Sequence, residues 1–210
     1  MRALIANYYG MISLIDHQVG RIRIALRDLG LEDNTLIVYS TDHGDWLGDH
    51  GLLLKGPMAY EGLLRVGLLF EGPGVPRGKV VADPVSTLDL PQTFCDYAGT
   101  SLAGKVHSRS LKSLIETDTA HRDFALSEWD LRASRCGVDL ALRTVRTKAH
   151  KLTLEKNSGA GELYDLVEDP HEMDNRFGDP AYAKLQRELS DMIASRPDDA
   201  CAPLPQVGMA

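Results

Sequence analysis

The first part of the chain, up to Gly30, repeats apolar residues at alternating spacings of four and three. Because an α-helix turns once in about 3.6 residues, this spacing places the apolar side chains on one helical face. Gly30 follows the last apolar position and is a typical residue just past a helix end. The pattern therefore predicts a long amphipathic helix whose apolar face is formed by Tyr8, Ile12, Ile15, Val19, Ile22, Leu26 and Leu29.

Unbroken apolar runs follow this predicted helix. "TLIVYS" (35–40) is rich in β-branched residues and has no polar alternation, which predicts a strand buried on both faces of a parallel sheet. A second buried strand is predicted at "RVGLLFEG" (65–72). "STLDLPQTFCDYAG" (86–99) predicts a helix that is capped by Ser86 or Thr87 and ends at Gly99. A helix followed by buried strands indicates an α/β core.

From residue 123 onwards the apolar residues fall into short runs separated by turns. "FALSEW", "VDLALRTVRT", "HKLTLEK" and "ELYDL" predict the strands of a small antiparallel sheet. "DPAYAKLQRELSDMIASR" predicts a closing helix, with Asp179 as its N-cap and Pro180 at its first position. We therefore expect part of an α/β core over 1–120, an antiparallel subdomain over 121–196 and a disordered tail over 197–210.

The composition is that of a globular protein and argues against membrane-spanning and nucleic-acid-binding classes. Hydrophobic residues make up 43% of the 210 residues and charged residues 25%, as in ordinary globular proteins. No apolar run reaches the roughly 18 residues of a membrane span, and a net charge of -7 argues against a nucleic-acid partner. Cys95, Cys136 and Cys201 show no metal-binding or disulfide spacing, and the N-terminus does not resemble a signal peptide. We expect a cytoplasmic protein.

Charged residues concentrate directly after the first predicted strand, in "STDHGDWLGDHGLLLK" (40–55). Ligands gather at the carboxyl ends of strands in open α/β sheets. The carboxylate of Asp42 and the imidazole of His43 suit a divalent cation, and Gly44 permits a sharp turn after them. In the alternative interpretation, Asp42 caps a turn and His43 forms a hydrogen bond within the loop. Lys55 favours the metal site, because it would meet an anion that the metal also attracts.

Three further polar residues of this segment have weaker functional signals. Asp45 and Asp49 are typical solvated loop carboxylates in good turn sequence. His50 is a candidate substrate contact, because an imidazole can act as an acid or base near neutral pH.

Several ordered motifs resemble the C-terminal half of the sulfatase family, within the alkaline phosphatase superfamily. They include "YYGMISLIDHQVGRI", "DNTLIVYSTDHGDWLGDHGLLLKG", "YEGLLRV", "GPGV", "STLDLPQT", "LRTVRTKAHKLTL" and "ELYDLVEDPHEMDN". An ordered series of this length is far more specific than one motif. The resemblance implies part of an alkaline-phosphatase-like, mostly parallel sheet with flanking helices.

The resemblance also implies hydrolysis of sulfate esters, on anionic small molecules or sugars. In such enzymes a divalent cation, usually calcium, holds the sulfate, and a formylglycine attacks the sulfur. It implies that Asp42 and His43 are metal ligands and that Lys55 contacts the sulfate; Lys55 and His50 are the catalytic candidates. A metal and a lysine would neutralise the charge on the sulfate oxygens.

Two departures from the family pattern limit this expectation. The family's nucleophile comes from a C/S-x-P-S-R motif and two further Asp ligands from its first strand, and this sequence contains neither. "CAPLP" (201–205) lacks the Ser and Arg of that motif. We expect half a metal site, no formylglycine nucleophile, and an isolated chain that is inactive without the N-terminal part. The cut sheet predicts self-association, or a partner such as the missing N-terminal half.

Two alternative functions remain open. Phosphonate monoester and phosphodiester hydrolases of the same superfamily share the Asp-His pair and often use manganese or zinc, which suits the nitrogen ligand His43. In the second alternative, the chain is a non-catalytic domain that serves assembly, and Asp42 and His43 stabilise a loop.

Overall fold

The computed structural model describes residues 1–104, 106–133 and 137–197. The chain separates into two compact units, Met1–His121 and Arg122–Ala210. Cys136, Cys201 and all of the predicted disordered tail except Pro197 lie outside the described residues. Within the described ranges, no helix has both the length and the apolar character that a membrane span requires.

The first unit begins with the long helix α1 (Arg2–Asp28), as the apolar spacing predicts. Gly30 takes a φ of 68°, and the N–H of Leu31 donates to the carbonyl of Leu26 at 2.9 Å. This closing turn satisfies a carbonyl at the helix end, which is why glycine follows the helix. No residue of α1 is buried, and its exposed large apolar side chains are Leu4, Tyr9, Met11, Ile12, Leu14, Ile15, Ile22 and Ile24.

The strands β1 (Ile37–Ser40) and β2 (Leu68–Glu71) pair with each other in antiparallel orientation, with Ser40 opposite Leu68. This differs from the parallel pairing that the unbroken apolar runs predict. The connection from Thr41 to Gly67 starts and finishes at the same end of the pair, where Thr41 N donates to the Gly67 carbonyl at 3.2 Å. A chain that returns at the end it left can only pair antiparallel. The strand residues are half-buried or exposed rather than buried on both faces.

The rest of the first unit contains the helices α2 (Glu61–Leu64), α3 (Leu90–Tyr97) and α4 (Lys112–Thr117). The predicted Ser86 cap is confirmed, because its hydroxyl accepts from Leu88 N at 3.2 Å. Gly99 follows α3 with a φ of 68°. The carboxylate of Asp89 is fully buried and is stabilised by donors at Ser86, Arg109 and His121. A hydrophobic cluster is formed by Leu111, Leu114 and Ile115 with Leu68, Phe70, Val75, Val85 and Leu90.

The second unit is the predicted antiparallel sheet with a closing helix. The strands β3 (Phe124–Leu131), β4 (Leu140–Thr147), β5 (His150–Glu155) and β6 (Gly161–Asp165) pair in sequence order. Helix α5 (Ala183–Ala194) follows a 3-10 turn (Pro180–Tyr182) in which the Asp179 carboxylate accepts from Ala181 N at 2.9 Å. The α5 residues Leu189 and Ile193 pack on the sheet residues Val145, Leu152 and Leu163.

One buried ion pair lies within this second unit. Lys151 on β5 contacts the carboxylate of Glu172, in the segment after β6, and the two side chains are 1% and 2% exposed. Glu172 takes a φ of 58°, in the left-handed region that non-glycine residues seldom adopt. The Lys151–Glu172 ion pair connects the sheet to the segment that leads to α5.

Candidate metal and anion site

The candidate site begins where the β1–β2 ladder ends. The Thr41 hydroxyl accepts from Gly67 N at 3.0 Å, so the backbone is fixed one residue before Asp42. Asp42 and His43 then lie at the start of the connection, at the carboxyl end of β1. This is the position that the sequence predicts for ligand-binding residues.

The side chains of Asp42, His43 and Lys55 lie together. Asp42 Oδ2 is 3.5 Å from His43 Nε2, and Lys55 Nζ is 2.9 Å from the same nitrogen. His43 Nδ1 lies 2.8 Å from the Gly44 carbonyl oxygen. Since a carbonyl only accepts and an ammonium only donates, Nδ1 carries the proton and Nε2 offers its lone pair. In this tautomer Nε2, the nitrogen that offers its lone pair, faces Asp42 and Lys55.

The Asp42 carboxyl favours its ionised form. The backbone N–H of His43 donates to Asp42 Oδ1 at 2.9 Å, and this bond lowers the pKa of Asp42 below its ordinary value. The charge of Lys55 acts in the same direction. With its side chain 86% exposed, Asp42 presents a carboxylate to a ligand that arrives from solvent.

A hairpin-like loop brings Lys55 back to His43. Trp46 N donates to the Leu54 carbonyl at 3.1 Å, and Gly48 N donates to the Leu52 carbonyl at 2.8 Å. Asp45 Oδ1 accepts from the N–H groups of Leu47 and Leu54, at 2.8 and 3.1 Å. Asp45 therefore organises the loop, as expected of a turn carboxylate.

His50 lies at the tip of this loop rather than at its base. Its φ of 53° is left-handed, and its ring stacks on Tyr60, with ring centroids 3.7 Å apart and planes at 7°. Among the described contacts, none joins His50 to the three side chains at the loop base. The catalytic role assigned to His50 from the sequence stays a prediction, as do the roles of Asp42, His43 and Lys55.

Two glycines of the site lie where an added Cβ would clash: Gly44 against backbone and Gly56 against a tryptophan ring. A Cβ on Gly44 would lie 1.9 Å from the Gly62 carbonyl oxygen, and Gly44 N donates to the Leu63 carbonyl at 2.9 Å. The φ of Gly44 is not positive, so the contact with α2, and not a left-handed turn, requires glycine here. Gly56 similarly faces the ring of Trp46, which is 5% exposed. The sequence analysis did not identify Trp46, Gly56 or Gly62 as residues that support the site. The available signal was Gly62, which is a glycine inside the short helix at "YEGLL".

The donor set suits a divalent cation but is incomplete. A carboxylate oxygen and an imidazole nitrogen are ordinary ligands of such ions. Within the described ranges, no group of three or more acidic, histidine or cysteine side chains could hold a metal. Asp42 and His43 therefore offer two donor atoms of the required kinds, and the Lys55 ammonium group lies beside them.

Comparison with known proteins gives a consistent result. The sequence model of a protein family, described as the C-terminal part of N-sulphoglucosamine sulphohydrolase, matches residues 48–198. An arylsulfatase of Clostridium perfringens is 35% identical over 182 residues, which cover 84% of this chain and 36% of that protein. The chain thus spans little more than a third of this relative's length.

Solved structures agree with the sequence matches. The phosphonate monoester hydrolase of Agrobacterium radiobacter aligns with a TM-score of 0.80 at 32% identity, covering 90% of this chain and 40% of that one. A protein in complex with its substrate D-glucosamine-2-N,6-O-disulfate aligns with a TM-score of 0.74 at 29% identity, covering 87% and 38%. These neighbours have the alkaline-phosphatase-like fold, which confirms the predicted α/β class. The chain belongs to the sulfatase family and corresponds to the C-terminal part of its members.

Proposed function

We propose that the chain is the C-terminal part of a sulfate ester hydrolase, in which Asp42 and His43 ligate a divalent cation and Lys55 binds the sulfate. The observation that carries the proposal is the convergence of these three side chains, with His43 Nε2 3.5 Å from Asp42 Oδ2 and 2.9 Å from Lys55 Nζ. Membership of the sulfatase family supports the same chemistry.

Each residue has a distinct task in this proposal. The Gly44 carbonyl fixes the imidazole of His43 so that Nε2 is free of a proton, and the His43 N–H keeps Asp42 ionised. The divalent cation, when bound, supplies Lewis-acid polarisation of the sulfate. Lys55 adds a positive charge that stabilises the oxygens as the leaving group departs. The nucleophile, formylglycine in this family, and further metal ligands would come from the part of a sulfatase that this chain does not represent.

The proposed substrate is a sulfated sugar, and the proposed metal is calcium. The substrate class is supported by the neighbour whose structure contains a disulfated glucosamine. Calcium is supported by the exposed carboxylate of Asp42, since hard cations prefer oxygen ligands. Manganese or zinc is the alternative, because His43 contributes nitrogen. The similarity to a phosphonate monoester hydrolase, together with this nitrogen ligand, favours phosphonate or phosphate ester hydrolysis as the second candidate.

The metal site is tested by the thermal stability of the chain with added CaCl₂ or MnCl₂. A ligand that binds only the folded state raises the unfolding midpoint. We expect Asp42→Ala to abolish this rise, whereas Asp49→Ala, which removes another exposed carboxylate of the same loop, should leave it intact. A metal response that survives Asp42→Ala would remove Asp42 from the site.

We also propose that the exposed apolar face of α1 packs against the remaining part of a sulfatase. No residue of this 27-residue helix is buried, although its apolar side chains follow the helical period. Such a large uncovered apolar face is unusual on a monomer. The purified chain alone should therefore elute larger than its 23.1 kDa mass on size-exclusion chromatography. A single monomer peak at micromolar concentration would contradict the proposal.

A further inference from the structure

We infer that Lys55 and the divalent cation compete for Nε2 of His43, so that metal binding displaces Lys55 and frees its ammonium group for the anion. The inference rests on the proposed metal site. It adds a direct link between metal binding and the position of the anion-binding residue.

The competition follows from the hydrogen bonds of the imidazole. His43 Nδ1 lies 2.8 Å from the Gly44 carbonyl oxygen and Lys55 Nζ lies 2.9 Å from Nε2. Nδ1 must donate, so the ring has a single in-plane lone pair, at Nε2, which accepts from Lys55. A metal ion bound by His43 needs that same lone pair. The two contacts therefore exclude each other.

Charge strengthens this exclusion. Asp42 Oδ2 faces the same nitrogen from 3.5 Å, so a cation held by both ligands would occupy the region that the ammonium group now approaches. Two positive charges at that point repel each other. The Asp42 carboxylate, which attracts the charge of Lys55, would then be shared with the metal, and Lys55 would lose its hydrogen bond to His43.

Lys55 is able to move away at small cost. It is exposed and follows a loop whose backbone is fixed independently by the bonds of Trp46 and Gly48. A lysine carries its charge on a flexible four-carbon stem. Displacement therefore requires side-chain rotation only, and the ammonium group stays within reach of an anion bound to the metal. Metal and anion binding are then positively coupled through Lys55.

The test is a titration of the histidine-labelled chain with MnCl₂, followed by the NMR signals of the imidazoles. Paramagnetic Mn²⁺ broadens the His43 ring signals as it binds, and His17 on α1 serves as the internal reference. Wild type is compared with Lys55→Met, and with Lys112→Met as a control that removes one positive charge from α4 of the same unit. Lys55→Arg keeps a positive donor at the position.

Lys55→Met should reach half-broadening at a roughly three- to tenfold lower Mn²⁺ concentration than wild type, the equivalent of one lost hydrogen bond. Lys112→Met and Lys55→Arg should stay close to wild type. An equal or higher midpoint in Lys55→Met overturns the competition while leaving the metal site in place. Absence of selective broadening at His43 in all four proteins overturns the proposal that Asp42 and His43 bind Mn²⁺ in this chain, and the competition with it.

Discussion

Replacement of Gly44 by alanine tests whether close packing against α2 holds the candidate metal ligands in place. The added Cβ would lie 1.9 Å from the Gly62 carbonyl oxygen, where an ordinary contact is about 3.3 Å. The loop and α2 must therefore separate by about 1.4 Å, which also breaks the 2.9 Å hydrogen bond from Gly44 N to the Leu63 carbonyl. Overpacking costs about 1–3 kcal/mol and the lost bond about 1 kcal/mol, so we expect Gly44→Ala to lower the free energy of unfolding by about 2–4 kcal/mol.

The assay is urea unfolding followed by the fluorescence of Trp46, which is 5% exposed and belongs to the same loop. The chain contains two tryptophans, so a Trp129→Phe background isolates the signal of the first unit. Gly20→Ala is the matched control, because nothing lies within 4 Å of its added Cβ and alanine is the better helix former. Stability of Gly44→Ala within about 0.5 kcal/mol of the background protein would refute the steric argument.

Two further predictions concern the second unit. Lys151→Met should destabilise it by about 3–5 kcal/mol, because the substitution removes the ion-pair partner of the buried Glu172 carboxylate. Lys151→Met with Glu172→Met should recover much of that loss, measured by Trp129 fluorescence during urea unfolding. A double variant no more stable than Lys151→Met would contradict this account. Hydrogen bonds from the Ser158 hydroxyl, and then from backbone N–H groups, lower the pKa of Glu155 from 4.5 to about 2. Since the folded-state pKa is the lower one, the stability that Glu155 contributes is present above about pH 4.5 and is lost as the pH falls towards 2. Glu155→Gln should flatten that part of the acid-unfolding curve, and an unchanged curve would show that Glu155 does not carry it.

The local sequence determined the elements whose hydrogen bonds and packing involve residues close together in the chain. The apolar spacing before Gly30 predicted α1, because a repeat of about 3.6 residues fits only a helix. The caps at Ser86 and Asp179 are confirmed, because each side chain accepts from a backbone N–H two residues further along the chain. The four strands of the second unit pair in sequence order through short connections, so their pattern alone predicted the sheet. The sequence also placed Asp42 and His43 directly after β1, and the ordered motifs identified the sulfatase family.

The tertiary structure decided what depends on residues far apart in the chain. The antiparallel pairing of β1 and β2 depends on where the long connection returns, which an apolar run does not encode. Whether Lys55 reaches His43 depends on a loop closed by backbone hydrogen bonds, and those bonds also leave His50 at the loop tip on Tyr60. Gly44 looks like a turn residue in the sequence, but its small size is required by the backbone of α2. Side-chain types and spacing are local properties, whereas contacts between distant segments exist only once the chain has folded.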